Sequence, residues 1–209
     1  MGLFDDLRKA KNALSRIGNA VNAAERERER ADAEKASQEA AGKAAGRFVA
    51  VTFAELPQTL EAFKALPQAA QATPFDTAAM TVVALQMYPK DRELCYAMLG
   101  CLKGPAGLSP AEKQFIRDRM MDQAYVPRSY FGGAVPGNDY EPARPYAVTV
   151  SENPYSYENQ GYAKLFLQSG GADSPRAVTL RLAKDGRWYL WEQFLLVGIR
   201  PPESTNPWA

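Results

Sequence analysis

Residues 176–192 read RAVTLRLAKDGRWYLWE, and this stretch decides the fold class. Apolar and polar residues alternate over 176–183, which is typical of a strand that buries one face. Asp185-Gly186 is a strong hairpin-turn dipeptide, so residues 187–192 are expected to return beside the first strand. The stretch therefore predicts an antiparallel β-hairpin.

Further strands are predicted on both sides of this hairpin. Residues 146–151 alternate Tyr146, Val148 and Val150 with smaller or polar side chains, and residues 162–168 are also predicted to form a strand. The continuous apolar run at 194–199 is typical of a strand that is covered on both faces. Residues 48–53 are also β-prone, and the pattern leaves open whether they form a strand or an extended lead-in segment. The short turns between the C-terminal strands predict an antiparallel meander.

The part of the chain before the meander is predicted to be helical. Apolar residues recur at helical spacing in four segments, 56–66, 76–88, 91–103 and 109–123. Helices over about 56–124 followed by strands over about 146–199 predict an α+β domain. This domain is expected to span residues 47–209.

The start of the fourth helix carries the most specific local signal. Ser109 supplies a capping hydroxyl, Pro110 suits the first helical position, and Glu112 can reach back to the amide of the cap. This combination predicts a capping box.

The composition excludes several classes of site. The 209 residues include 25 basic and 24 acidic side chains, two cysteines and no histidine. Without histidine, the chain alone cannot form a Ser-His-Asp or Cys-His nucleophile, a histidine-ligated zinc site or a haem site with a proximal histidine. The nearly neutral charge argues against binding of nucleic acid, which needs a basic excess. No metal-binding or cofactor-binding motif is found, so neither a metal nor a cofactor is expected.

Residues 1–46 differ in composition from the rest and are interpreted as an exposed helical tail. They are rich in alanine and charge, and they contain no proline. Apolar residues recur along one stripe of this helix and define a tail face, which consists of Leu3, Phe4, Leu7, Leu14, Ile17 and Val21. Three occupants of the tail face stay open: the body of the protein, a helix of a partner or second copy, or a membrane surface.

Residues 125–162 hold seven of the ten tyrosines, in loops that are also rich in proline. Tyrosine and arginine are enriched in recognition surfaces, because tyrosine combines a rigid apolar ring with a polar tip. The residues predicted to form a binding surface here are Arg128, Tyr130, Phe131, Tyr140 and Arg144. The alternative is that the aromatic rings are lids that bury the loops.

A second aromatic cluster lies on the returning strand of the hairpin. Strand alternation places Trp188 on one face, and Tyr189 and Trp191 on the other. We interpret this pattern as packing on both faces of the strand.

An enzyme is not expected. Paired carboxylates near aromatic rings occur in sugar-cleaving sites, and Glu152 and Glu158 are acids within the Tyr-rich segment. Their positions in the sequence do not determine the distance in space between the two carboxyl groups. A carboxylate-based hydrolase is retained as an alternative, and it would require a strongly raised pKa on one of the loop acids.

Five phrases of the sequence together resemble one protein family. They are MGLFD at 1–5, RSYFGGA at 128–134, GADSPR at 171–176, DGRWYLWE at 185–192 and NPWA at 206–209. The chain resembles a family of uncharacterised bacterial proteins that carry a domain of unknown function. The resemblance implies a bacterial cytoplasmic protein, and it implies no activity and no functional residues.

The leading functional prediction is a non-enzymatic bacterial binding or assembly protein. It is expected to use the tail face for a protein partner or for self-association, and the Tyr-rich loops for recognition. Two cysteines are too few for a disulfide framework and favour a reducing cytoplasm. The alternative is a peripheral protein that residues 1–21 hold at the inner membrane surface.

Overall fold

The computed structural model describes residues 46–205 of the chain. Within this part, one strand precedes four α-helices, and four further strands follow them. The strands are β1 (Phe48–Phe53), β2 (Tyr146–Ser151), β3 (Tyr162–Leu167), β4 (Arg176–Leu182) and β5 (Trp188–Gln193). The helices are α1 (Leu60–Ala65), α2 (Pro74–Gln86), α3 (Arg92–Lys103) and α4 (Pro110–Met120). The predicted α+β class is confirmed.

The five strands form one antiparallel sheet in the order β1-β2-β3-β4-β5. The C-terminal meander is therefore confirmed. Residues 48–53 form a strand, because β1 pairs with β2 from Phe48 opposite Ser151 to Phe53 opposite Tyr146. The four helices thus lie in the connection between two neighbouring strands of the sheet.

Helix α2 is the centre of the core and contacts all five strands. Its residues are buried on every side from Thr77 to Leu85, so the helix lies inside the domain and presents no polar face to solvent. The hydroxyl groups in this helix are paired: Thr77 donates to the carbonyl of Trp188 at 2.7 Å, and Thr81 donates to the carbonyl of Thr77 at 2.8 Å. A threonine in such a position is tolerated because its hydroxyl is satisfied.

The capping box predicted at the start of α4 is confirmed. The backbone amide of Glu112 donates to Ser109 Oγ at 3.3 Å, and the amide of Ser109 donates to Glu112 Oε2 at 2.8 Å. Pro110 occupies the first turn of the helix, where its missing amide proton costs nothing. Two orphan amides of the helix start are satisfied in this way.

The segment 194–199 is only partly buried, with Phe194 39% exposed, and it is not a strand, which corrects the prediction. Leu195, Leu196 and Ile199 are in the core, as the apolar run requires. The chain nevertheless leaves the sheet after β5, because the amide of Leu195 donates to the side chain of Gln193 at 2.9 Å. Gly198 has a φ of +67°, which interrupts any extended conformation. The backbone carbonyls of this segment accept hydrogen bonds from side chains: Leu195 from Tyr130, and Val197 and Gly198 from Arg176.

The predicted tail and its tail face, Leu3, Phe4, Leu7, Leu14, Ile17 and Val21, lie outside the described residues. The boundary proposed at residues 46/47 stays a prediction. Among residues 46–205, every helix is too short or too polar to span a bilayer.

Candidate functional site

The structure places three of the five predicted binding residues in the core. Tyr130 and Phe131 are each 2% exposed, and Tyr140 is fully buried. The hydroxyl groups of the two tyrosines are not free, since Tyr130 donates to the carbonyl of Leu195 and Tyr140 to that of Arg200, both at 2.6 Å. The prediction that these three side chains form exposed contacts is therefore wrong.

The structure supports the alternative interpretation of this segment, in which the aromatic rings cover the loops and bury them. Tyr140 stacks on Tyr125 with ring centroids 5.4 Å apart and an interplanar angle of 11°. Gly171 lies so close to the ring that a Cβ there would stand 2.0 Å from the Tyr140 hydroxyl. Burial raises the pKa of Tyr140, so the hydroxyl remains protonated and can donate. These rings close the loops over the core.

The two arginines of the predicted surface lie at the surface in separate environments. Arg144 is exposed, pairs with Glu55 at 3.3 Å and lies over the ring of Tyr146 at 5.2 Å. Arg128 is half-buried and lines a shallow cavity of about 350 Å³ beside the end of α2. The five predicted residues therefore do not form one exposed surface.

A larger cleft, of about 750 Å³, lies between the hairpin of β4 and β5 and the segment that joins α3 to α4. We call it the hairpin cleft. Its walls are Lys103, Pro105, Ala106, Gly107, Ser109, Glu112, Arg181, Leu182, Ala183, Lys184, Asp185, Tyr189, Leu190 and Trp191. Proline, alanine, leucine and aromatic side chains make up much of this wall, as is usual for binding sites.

The ammonium group of Lys103 joins the two walls of the hairpin cleft. Its Nζ donates to the backbone carbonyl of Trp191 at 3.0 Å and forms an ion pair with Glu112. The Lys103 side chain is only 10% exposed, and its partner belongs to the capping box of α4. Three elements, α3, α4 and β5, are thus held together at this point.

Tyr189 forms part of the cleft wall because Gly104 leaves room for it. A Cβ at Gly104 would lie 2.3 Å from the Tyr189 ring, and Gly104 has a φ of +61°. The Tyr189 hydroxyl donates to Asp185 Oδ2 at 2.7 Å. This hydrogen bond is the main cause of a lowered pKa at Asp185 and of a raised pKa at Tyr189.

Arg181 and Trp191 form the outer rim of the cleft, and Tyr162 packs beside both of them. The guanidinium carbon of Arg181 lies 5.0 Å from the ring centre of Trp191 and 5.7 Å from that of Tyr162. The two rings meet edge to face, with centroids 5.7 Å apart. Trp191 is nevertheless 47% exposed. This is an aromatic and cationic cluster at the surface.

The prediction that the aromatic residues of β5 pack on both faces holds for Trp188 and is wrong for Trp191. Trp188 packs against the core, while nothing in the described part of the chain covers the outer half of Trp191. A register shift between β4 and β5 falls next to Trp191, at Thr179 and Leu180. A bulge of this kind re-aims side chains, and strand alternation in the sequence does not reveal it.

The loop acids of the alternative hydrolase hypothesis lie away from the hairpin cleft. Glu152 is half-buried and accepts a hydrogen bond from the Tyr157 hydroxyl at 2.8 Å, whereas Glu158 is exposed. Burial and the neighbouring Glu152 raise the pKa of Tyr157 to about 12, so Tyr157 acts as a donor. Within residues 46–205, no three histidine, cysteine, aspartate or glutamate side chains group as a metal site requires.

The fold and the cleft define an α+β domain with a helical insertion between two neighbouring strands and an open, aromatic cleft at the edge of the sheet. The sequence model of DUF6935, a domain of unknown function, matches residues 55–203. The chain belongs to this family. The match includes the hairpin cleft and the whole Tyr-rich segment. No curated protein and no solved structure matches the chain.

Proposed function

We propose that this protein is a non-enzymatic binding and assembly protein of the bacterial cytoplasm, and that it docks a partner in the hairpin cleft. The observation that carries the proposal is the exposed ring of Trp191 at the rim of an apolar cleft, with Arg181 beside it. Tryptophan and arginine are enriched among the residues that contribute most to binding at interfaces.

The packing around the cleft supports this proposal, because the groups at its rim are held in place before any partner arrives. The Lys103 ammonium binds the Trp191 carbonyl, and the two rings fix the Arg181 guanidinium. A site with fixed side chains loses less conformational entropy on binding.

The cytoplasmic location is supported by the state of the two cysteines. Cys95 is buried and Cys101 half-buried, and neither forms a disulfide. Burial raises the pKa of the Cys95 thiol to about 12, so the thiol stays protonated. Free thiols of this kind are typical of proteins in a reducing compartment.

The cleft is tested by capture of partners in cells with two variants of the full chain. Trp191→Ala removes the ring at the rim, and Tyr155→Ala removes another exposed ring, 60% accessible, that does not line the cleft. We expect partners that wild type and Tyr155→Ala capture after crosslinking to be lost from Trp191→Ala, with all three melting at nearly the same temperature. Capture of the same partners by Trp191→Ala would contradict the proposal.

The tail face is proposed as the second contact of this assembly protein. The test is Leu7→Glu with Leu14→Glu in the full chain, which interrupts the apolar stripe with charge. We expect the solution mass or partner capture to change, while flotation with neutral and anionic liposomes is the same for variant and wild type. Flotation of wild type that the variant loses would instead establish residues 1–21 as a membrane anchor.

A further inference from the structure

Arg181 is an exposed cation that lies against two aromatic rings, and its guanidinium has no protein partner for its hydrogen-bond donors within residues 46–205. The rings of Trp191 and Tyr162 lie against the guanidinium at 5.0 and 5.7 Å. Contacts with the face of the guanidinium leave its in-plane N–H groups free to bind another group. In the described part of the chain, the guanidinium of Arg181 forms no ion pair with a carboxylate and donates no hydrogen bond. Another exposed arginine of the chain, Arg200, does have a carboxylate partner, Asp173 at 2.8 Å.

The other charges of the hairpin cleft leave an excess of positive charge beside Arg181. The wall carries three cations, Lys103, Arg181 and Lys184, against two carboxylates, Glu112 and Asp185, and Glu112 already pairs with Lys103. Lys184 also lines the cleft, and no described carboxylate forms an ion pair with it. An anionic group is therefore favoured over a cationic one.

The apolar part of the cleft lies beside this positive charge. Leu182, Leu190 and Pro105 belong to the wall, and Trp191 extends it to the rim. A ligand that fits both parts carries a carboxylate next to a large apolar group. The planar fork of arginine suits a carboxylate, which it can bind through two parallel hydrogen bonds.

The outer edge of β5 has backbone groups of Trp188 and Trp191 already occupied, which disfavours a peptide that would add a further strand to the sheet. Trp188 is occupied at both backbone groups, because its amide donates to the Gln71 carbonyl at 2.9 Å and its carbonyl accepts from Gln71 Nε2 at 3.1 Å. The carbonyl of Trp191 is taken by Lys103. Recognition in the cleft therefore relies on side chains and not on strand addition.

We propose that the hairpin cleft binds an acidic peptide segment of a protein partner, in which a glutamate or aspartate stands next to a large apolar residue. The carboxylate binds the free edge of the Arg181 guanidinium, and the apolar side chain lies against Trp191 and Leu182, which are both exposed. This inference rests on the proposed docking function and specifies the chemistry of the partner.

The experiment uses the full chain, labelled with nitrogen-15, and a matched pair of probe peptides. The first probe is acetyl-Phe-Glu-Leu-amide, and the second differs only in having glutamine in place of glutamate. The indole N–H signal of Trp191, assigned with Trp191→Phe, reports binding. We expect the glutamate peptide to bind about tenfold more tightly than the glutamine peptide, because it adds charge-assisted hydrogen bonds.

Two arginine variants separate the role of Arg181 from a general effect of charge. Arg181→Gln is expected to bind the glutamate peptide about tenfold more weakly than wild type and to lose the preference between the peptides. Arg187→Gln removes the same charge from an exposed position of the same hairpin that does not line the cleft. We expect this control to bind like wild type.

The outcomes distinguish this inference from the docking function on which it rests. Equal binding of the two peptides, or no shift of the Trp191 signal with either, overturns the acidic peptide while cellular capture that depends on Trp191 still supports docking. Equal losses in Arg181→Gln and Arg187→Gln also overturn the role of Arg181. Absence of peptide binding together with capture that does not need Trp191 overturns both.

Discussion

The hydroxyl of Tyr130 donates a hydrogen bond of 2.6 Å to the backbone carbonyl of Leu195, and both residues are buried. This bond ties the loop before β2 to the segment that follows β5. Burial raises the pKa of Tyr130, so the hydroxyl keeps its proton and remains a donor. Tyr130 lies in a segment with the composition of a recognition surface, but its role in the structure is to hold two buried segments together.

Tyr130→Phe is expected to lower the free energy of unfolding by about 1–3 kcal/mol, because the buried carbonyl of Leu195 loses its partner. Urea unfolding measures the change. Tyr155→Phe is the matched control, since that ring is 60% exposed, and its effect should stay within about 0.5 kcal/mol. Equal stability of the two variants would show that Tyr130 does not hold the segment.

Arg176→Lys is expected to lower the free energy of unfolding by about 2 kcal/mol or more. The buried guanidinium of Arg176 donates to the carbonyls of Val197 and Gly198, each at 2.8 Å, and to that of Ser174 at 2.9 Å. An ammonium group cannot span these acceptors. The same change at the exposed Arg187 should cost about 0.5 kcal/mol or less, and similar losses in both variants would contradict the assignment.

Gly104→Ala is expected to destabilise the protein more than Gly107→Ala. Both glycines have a φ of +61°, so each alanine pays a similar backbone strain of about 1–3 kcal/mol. Only Gly104 lies against a side chain, the ring of Tyr189, which a Cβ would have to displace. Unfolding in urea compares the two variants.

The same pair of variants also tests the wall of the hairpin cleft. The Tyr189 hydrogen bond is the main cause of the lowered pKa of Asp185. Displacement of the ring in Gly104→Ala should therefore raise the pKa of Asp185 towards its usual value, which a carboxyl NMR titration detects. Gly107→Ala should leave it unchanged. An unchanged pKa in both variants would show that the ring accommodates the extra methyl group.

Glu112 is expected to contribute a pH-dependent part of the stability. Burial alone would raise its pKa, but hydrogen bonds from Lys103 and Ser109 outweigh burial and leave the pKa below the usual 4.5. The folded state therefore favours the carboxylate more than the unfolded chain does. This stabilisation is complete above the unfolded pKa and is lost as the pH falls through the folded pKa.

The measurement compares wild type with Glu112→Gln, which keeps the side-chain acceptor of the capping box. The difference in unfolding free energy should be larger at pH ~6 than at pH ~3. Glu61→Gln, in the exposed first turn of α1, is the control and should differ little from wild type at either pH. A constant difference for Glu112→Gln would contradict the lowered pKa.

Much of the fold could be predicted because its signals are local. The capping box at Ser109 and Glu112 involves neighbours three positions apart, and the hairpin at Asp185-Gly186 depends on a turn of three residues, 184–186. Turn and cap preferences act within a few residues, so they are visible in one sequence. The α+β class follows from the order of such signals.

The candidate site could not be predicted in the same way. The Tyr-rich segment has the composition of a recognition surface, yet Tyr130 and Tyr140 are buried. Trp191, which the sequence pattern assigned to packing, is exposed at the rim of the hairpin cleft. The position of the bulge in β5 depends on its pairing with β4, which alternation alone does not specify.

The sequence by itself determined the local elements, the order of helices and strands, and the classes of site that a chain without histidine cannot form. Only the tertiary structure decided that β1 pairs with β2, that residues 194–199 leave the sheet, and that Lys103 meets Trp191. The physical reason is that burial and pairing depend on groups far apart in the chain. A tyrosine that covers a loop and a tyrosine that binds a partner look the same in the sequence. Only the residues that pack around it in the fold decide which of the two roles it has.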